Sequence, residues 1–198
     1  MTISTRLHLD LGCGNKPRNP YGCETLYGID IREGLSAPGV AAIVAANLTL
    51  EPIPFPDKHF DSLSAYDFLE HVPRVGSSAS GHLSRFPFIE LMNEVWRVLK
   101  PGGHFYAVFP AFPHALAFCD PTHVNVLTDR SHLYFTGSNP MGAMYGFQGR
   151  FELVRQHRIH PRGDYHPVRR SSKLAIKTAV DHLAGRRSHL VWELTAAA

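Results

Sequence analysis

Leu7–Gly14, read as LHLDLGCG, is the stretch that decides the fold. Leu7, Leu9 and Leu11 alternate with His8 and Asp10, and the run stops abruptly at Gly12-Cys13-Gly14. This pattern predicts a short buried strand that breaks into a glycine turn. Glycines at a strand's carboxyl end let a ligand come against bare backbone, because no Cβ stands in the way. In an open parallel sheet that end is where ligands bind. Asp10 lies inside the strand, where an unpaired carboxylate is costly, so it is expected to accept hydrogen bonds from fixed groups. The stretch predicts a nucleotide-type cofactor over Gly12–Gly14, against the alternative of a plain strand-turn.

The chain has 198 residues, of which 44% are hydrophobic and 19% charged, the make-up of one ordinary globular domain. No apolar run approaches the roughly 18 residues of a membrane span, and the N-terminus lacks the basic-then-apolar pattern of a signal peptide. Cys13, Cys23 and Cys119 are odd in number and lack CxxC spacing. They predict a reducing, cytoplasmic setting rather than a disulfide framework. The formal charge of +3 is too small to name a partner. Thirteen histidines are scattered without metal-ligand spacing, so a metal site would need several of them to converge in space, and none is assigned.

Only Asn15–Thr25 separates the first strand from the next, Leu26–Ile31. Parallel neighbours normally need a crossover of a dozen residues or more, with a helix. Here Pro17 and Pro20 limit any helix to a turn or two, and Arg32–Val40, with Gly34, Pro38 and Gly39, is equally poor in helix. A third strand is expected at Ala41–Ala46, closed by Asn47. The N-terminal half is thus a thinly covered sheet, and something else must shield it. Asp30, sixteen residues past Gly14, is placed to accept both ribose hydroxyls of an adenosine, or else to cap the turn at Glu33.

Leu48–Lys58 carries Pro52, Pro54 and Pro56 and reads as a stiff loop. Phe60–Ala65 is a fourth strand, Tyr66–Val72 opens a helical stretch, and Pro73–Arg85 reads as a mobile loop that serves either as a lid or as plain surface. Phe86–Lys100 is the clearest helix: Ile89, Met92, Val95, Trp96 and Leu99 recur at three- and four-residue spacing before Pro101-Gly102-Gly103. His104–Pro110 is a fifth strand. Ala111–Tyr134 sets His114, Asp120, His123 and Asp129 among aromatics, the make-up of a substrate pocket or of a segment packed over the sheet. Phe151–Ile159 and His189–Leu194 read as strands and Ser172–Ala184 as an amphipathic helix. Ten of the chain's twenty basic residues lie between Arg150 and Leu190, a solvated face or a footprint for a phosphate-rich partner.

With these residues in view, the chain resembles the class I S-adenosylmethionine-dependent methyltransferases, in particular the small domains called type 11. Across Leu7–Pro110, LDLGCG is similar to that family's first motif and GID to its second-strand acid. FPDKHFDSLSAYDFLEHV resembles the region of its third and fourth strands, and LMNEVWRVLKPGGHFYAVFP its helix, turn and fifth strand. The resemblance implies an α/β, Rossmann-like, mostly parallel seven-stranded sheet of order 3-2-1-4-5-7-6 with the last strand antiparallel and reduced helices in the N-terminal half. It implies one domain over residues 1–198, with a cofactor-binding half at 1–110 and a substrate-side segment and C-terminal strands at 111–198.

It further implies S-adenosyl-L-methionine as cofactor. Gly12, Cys13 and Gly14 would approach its methionine and ribose portions, and Asp10 would hold the turn. Asp30, followed by Ile31, would bind the ribose hydroxyls, Asn47 would meet the adenine amino group with Leu48 flanking the ring, and Ala65 and Tyr66 would lie along the methionine. Pro17 and Pro20 fall where relatives carry a regular helix, which leaves one cofactor wall open or completed by a second copy in a homodimer. A dinucleotide site competes for the same glycines, but it needs a third glycine where Pro17 stands and a helix N-terminus for the pyrophosphate. S-adenosylmethionine carries no phosphate and does not need that helix.

Methyl transfer from a sulfonium needs alignment, water exclusion and, for a hydroxyl acceptor, a base. His123 and Asp120 in DPTH are the leading candidates for that base, followed by His71, Asp67 and His114. The expected activity is methyl transfer to a small-molecule or glycan-related acceptor. RNA or protein methylation through the basic C-terminal third, or a non-catalytic cofactor-binding scaffold, are the alternatives.

Overall fold

The computed structural model describes residues 5–78, 80, 81, 83–161 and 172–198. Its main sheet has seven strands: β1 (Leu7–Leu11), β2 (Thr25–Asp30), β3 (Ala42–Ala45), β4 (Phe60–Tyr66), β5 (Leu99–Pro110), β6 (Phe151–Ile159) and β7 (His189–Ala196). Their spatial order is 3-2-1-4-5-7-6, with β7 antiparallel to both of its neighbours and the pairs among β1–β5 parallel. The doubly wound order places the carboxyl ends of β1, β2 and β4 side by side. That is where a crevice forms in such sheets.

Helix α1 (Pro87–Val98) opens on a proline in its first turn, whose missing N–H is no loss there. Its apolar stripe, Phe88, Ile89, Leu91, Met92, Val95 and Val98, is buried with Phe60, Leu63, Phe105, Phe109 and Trp192 in one core. Full burial of a side chain such as Met92 or Val95 is worth about 1.5–3 kcal/mol. The helix ends sooner than its pattern predicts, because Leu99 already pairs with Phe60. Strand β5 therefore starts at Leu99 rather than His104, and the chain runs through the Pro101-Gly102-Gly103 turn with a shift of register. The stretch read as helical at Tyr66–Val72 is also shorter: Tyr66 completes β4, and only Leu69–His71 coils, as one 3₁₀ turn.

Neither the β1–β2 nor the β2–β3 connection contains a helix. The face so exposed is shielded by the extended chain between β1 and β2. Tyr21 stacks on His104 with ring centroids 5.1 Å apart and donates its hydroxyl to Glu193 at 3.1 Å, while the Arg18 guanidinium lies 4.4 Å over the Tyr66 ring. Residues 73–85 hold a small hairpin, Gly76–Ser77 against Ser84–Arg85. Helix α2 (Ser172–Leu183) leaves Ile176, Val180 and Leu183 exposed. Arg162, Asp164, Arg169 and Arg170 of the basic third lie outside the described residues.

Gly28 in β2 has a structural reason: a Cβ there would stand 2.5 Å from the Cys13 sulfur and 3.2 Å from Pro17. Gly28→Ala is expected to destabilise the protein by about 1–3 kcal/mol in denaturant unfolding, as overpacking does. In a Cys13→Ala background the same change should cost clearly less. Equal costs in the two backgrounds would show that the contact is not limiting.

Candidate active site

The turn after β1 is held from two sides by carboxylates. Asp10 (1% exposed) accepts from the Arg18 N–H at 2.8 Å and from the Ser64 hydroxyl at 2.6 Å. Gly12 and Gly14 take φ of +63° and +58°, values L side chains avoid. The Gly14 N–H donates to Asp30 at 2.8 Å, which ties the turn to the tip of β2. Burial works against ionisation of Asp30, yet hydrogen bonds from Arg32 and Gly14 hold its carboxyl below the usual range. The Arg32 guanidinium stands 2.8 Å from one Asp30 oxygen and 3.3 Å from the other through a side chain that is half exposed.

Asp10 belongs to a buried polar chain: the His8 ring nitrogens meet Ser62 at 2.7 Å and Ser64 at 2.8 Å. Burial, opposed by the Ser64 and Arg18 hydrogen bonds, pushes the Asp10 carboxyl up to about 7. The unfolded chain releases this proton near pH 3.9, so the folded state binds the extra proton over about pH 4–7 and stability falls as pH rises through that window. Burial lowers His8 to about 3, which favours its neutral form and makes stability fall in the other direction, on acidification. Comparing two proteins cancels that second effect. Asp10→Asn should gain stability on native protein by on the order of 3 kcal/mol between pH 4 and pH 8, read by unfolding at each pH. A difference that does not move with pH would contradict the assignment.

A cavity of about 430 Å³ opens over the ends of β1 and β2. Gly12, Asp30, Ile31, Asn47, Leu48 and His71 are among the residues that line it. Its volume falls in the range of small-molecule sites. Leu48 is buried, whereas Ile31 is 66% exposed, an apolar side chain left without protein cover at the cavity wall. Asn47 places its carbonyl oxygen on Thr49, accepting from the backbone N–H at 3.1 Å and the hydroxyl at 2.7 Å, so its amide N–H₂ is the group left to donate. The bare backbone at Gly12 is met by Phe68: a Cβ there would lie 2.6 Å from the ring. Cys13 packs on Gly28, and burial pushes its thiol up to about 12. Ala65 and Tyr66 are buried and are not among the cavity's lining residues.

Beyond Phe68 the chain carries Glu70 inward. The Glu70 carbonyl accepts from the N–H groups of Val124 and Asn125, both at 2.9 Å, and Asn125 donates to Leu69 at 3.1 Å. These bonds fasten the 111–134 segment over the end of β4. The Glu70 side chain is 2% exposed, and neither carboxylate oxygen has a hydrogen-bond partner. Burial, with Asp67 and Asp120 nearby, pushes its carboxyl up to about 8. His123 lies with its Nε2 3.9 Å from Glu70 and 3.9 Å from Asp120, and its ring packs edge-on to His71 with centroids 4.8 Å apart. The structure thus brings His71, Asp120 and His123 together. His114 caps a separate turn by accepting from the Leu116 N–H, and Asp67 pairs with His189 at 3.1 Å.

Sequence reasoning gave Glu70 no role, although it follows Phe68-Leu69 and stands two residues before Val72. It also missed Phe68, Arg32 and Thr49, whose contacts depend on pairings no local pattern encodes. A second cavity, of about 460 Å³, lies beside α1 and is lined mainly by apolar groups, Phe86, Phe88, Leu127, Tyr134 and Tyr145 among them, with Arg74 and Asn125.

A family model described as a methyltransferase domain matches residues 9–107. No protein of curated function matches the chain by sequence. Among solved structures, an S-adenosylmethionine-dependent methyltransferase from Mesorhizobium loti aligns with TM-score 0.57 at 15% identity, covering 96% of this chain and 90% of its own. One from Archaeoglobus fulgidus aligns with TM-score 0.53 at 15% identity, covering 97% and 86%. The [4+2]-cyclase SpnF aligns with TM-score 0.56 at 16% identity, covering 97% and 74%. At these identities the likeness is one of fold.

Proposed function

The chain belongs to the methyltransferase-domain family, a class I S-adenosylmethionine-dependent group, and from that premise we propose that it methylates a hydroxyl of a small-molecule or glycan-related acceptor. The observation that carries the reading is the shared wall of two features. His71 lines the cavity over Gly12 and Asp30 and also belongs to the group formed with Glu70, Asp120 and His123.

The residues of the first cavity fit S-adenosylmethionine. Asp30, an ionised acceptor at the tip of β2, would take the ribose hydroxyls once the exposed Arg32 side chain swings aside. Ile31 and Leu48 would flank the adenine, and the Asn47 amide would donate to a ring nitrogen rather than accept from the amino group, since its oxygen is engaged by Thr49. Gly12 would lie along the methionine with Phe68 closing the wall, while Asp10, Cys13 and Gly14, which do not line the cavity, would fix the turn behind it. Bound there, the cofactor supplies a sulfonium methyl that needs no protonation of its leaving group. The chain's own residues supply alignment and exclusion of water. Glu70, His71, Asp120 and His123 form the acceptor side, where a hydroxyl would lose its proton.

In the second cavity, the Arg74 guanidinium is held by Asn125 and the Val126 carbonyl. Four of the five described arginines of the C-terminal third are also engaged internally: Arg155 with Glu193, Arg158 with Asp129, Arg150 with Ala198 and Arg187 with the Arg158 carbonyl. Among the described residues no helix is long and apolar enough to cross a membrane. Incubation with methyl-labelled S-adenosylmethionine and parallel panels of hydroxylated small molecules, glycans, RNA and protein tests the reading. Label in the first two panels supports it. Label confined to RNA or protein, or cofactor binding without turnover in any panel, would replace it.

A further inference from the structure

Glu70, His71 and His123 each offer one ligating atom, and these three atoms lie within 4.8 Å of one another. Neighbouring ligands of a tetrahedral cation with bonds of about 2.0–2.2 Å are about 3.4 Å apart, so side-chain shifts of about an ångström bring the three onto one ion. No hydrogen bond joins them: His123 Nε2 and Glu70 stand 3.9 Å apart, and the Glu70 oxygens and His123 Nδ1 are buried without partners. A buried carboxyl with neither oxygen hydrogen-bonded, beside histidine nitrogens, is a polar group that a bound cation would satisfy.

The tautomer of His71 follows from its neighbours. The Thr122 hydroxyl donates to Asp120 at 2.7 Å and so accepts from His71 Nδ1 at 2.9 Å, with the Thr122 carbonyl as a second acceptor at 3.3 Å. The proton is therefore on Nδ1, and the Nε2 lone pair is left to ligate. A carboxylate that acts through a hydroxyl on the far nitrogen of a histidine is the outer support that metal-binding histidines receive.

We propose that Glu70, His71 and His123 hold one divalent transition-metal ion of the zinc type, with the remaining positions open to water or an acceptor oxygen. Two imidazoles and one carboxylate with open positions are the donor set of catalytic zinc sites, and imidazole disfavours magnesium. Because His71 also lines the first cavity, the ion would stand at the border between cofactor and acceptor. This placement rests on the proposed methyltransferase reading; the donor set does not.

The test is calorimetric titration of Zn²⁺ into chelator-treated protein, with the Co²⁺ visible absorption spectrum as an independent readout of nitrogen ligation. The native chain is expected to bind one ion more tightly than any surface histidines do. Glu70→Gln, which keeps shape and changes only a ligand oxygen, and His123→Ala should each weaken that site by roughly 100-fold or more, beyond the 10–100-fold typical of losing an outer support. Circular dichroism establishes that the variants fold. Absence of saturable binding, or binding unchanged in both folded variants, would overturn the inference. S-adenosylmethionine titrated into the same samples reads the functional proposal separately. Cofactor binding without zinc binding removes the metal site alone, and zinc binding without cofactor binding removes the methyltransferase reading and leaves the metal site standing.

Discussion

Asp30→Ala is expected to weaken S-adenosylmethionine binding by about 1,000-fold while the protein stays folded. Two hydrogen bonds from ribose hydroxyls to an ionised carboxylate are each worth about 1.5–3 kcal/mol, and their joint loss, near 4 kcal/mol, corresponds to that factor. Asp30 suits the role because the backbone N–H groups of Arg32 and Gly14 go on donating to its carboxylate once the Arg32 side chain has moved off. Asp30→Asn keeps one acceptor for the Gly14 N–H and should fall between native and Ala. Calorimetry on the three proteins checks the order, and native affinity in Asp30→Ala would refute the assignment.

His123→Ala is expected to lower turnover on the acceptor by about 100–1,000-fold, the range of acceptor activation by a positioned side chain, with cofactor affinity little changed. His123 is not among the residues lining the cavity over Gly12 and Asp30, so a loss of cofactor binding has no route through direct contact. The split between kcat and cofactor Kd is the informative readout. A merely structural histidine, once replaced, would move thermal stability and leave the rate per folded molecule alone. Unchanged turnover would take His123 out of the acceptor side.

The parts of the molecule that were legible in the sequence are those governed by short-range periodicity. The alternation in LHLDLG reports β1 because Leu9 and Leu11 must be buried in the sheet, and the three- and four-residue spacing of Ile89, Met92 and Val95 reports α1 for the same reason. The prolines at 17 and 20 correctly forbade a helix between β1 and β2. They could not say that Tyr21 would reach His104 and Glu193 to cover the bared sheet, a contact 172 positions away in the chain. The end of α1 was misplaced because pairing of Leu99 with Phe60 overrides helical propensity.

At the candidate site, Asp30 and the glycine turn were visible through their register. Glu70 was hidden, since a carboxylate is presumed solvated until the segment that covers it is known. The 111–134 segment does the covering, and it is tied down by backbone bonds from Val124 and Asn125 that have no sequence signature. Asn47 shows the same limit in miniature: its position was readable, but the engagement of its oxygen by Thr49 was not.

A crystal structure of the chain with S-adenosylmethionine bound tests the central claim most directly. The ribose hydroxyls should lie within hydrogen-bond distance of the Asp30 carboxylate, with Arg32 moved off it and the adenine between Ile31 and Leu48. Adenosine lodged elsewhere, or ribose hydroxyls out of hydrogen-bond reach of Asp30, would contradict it.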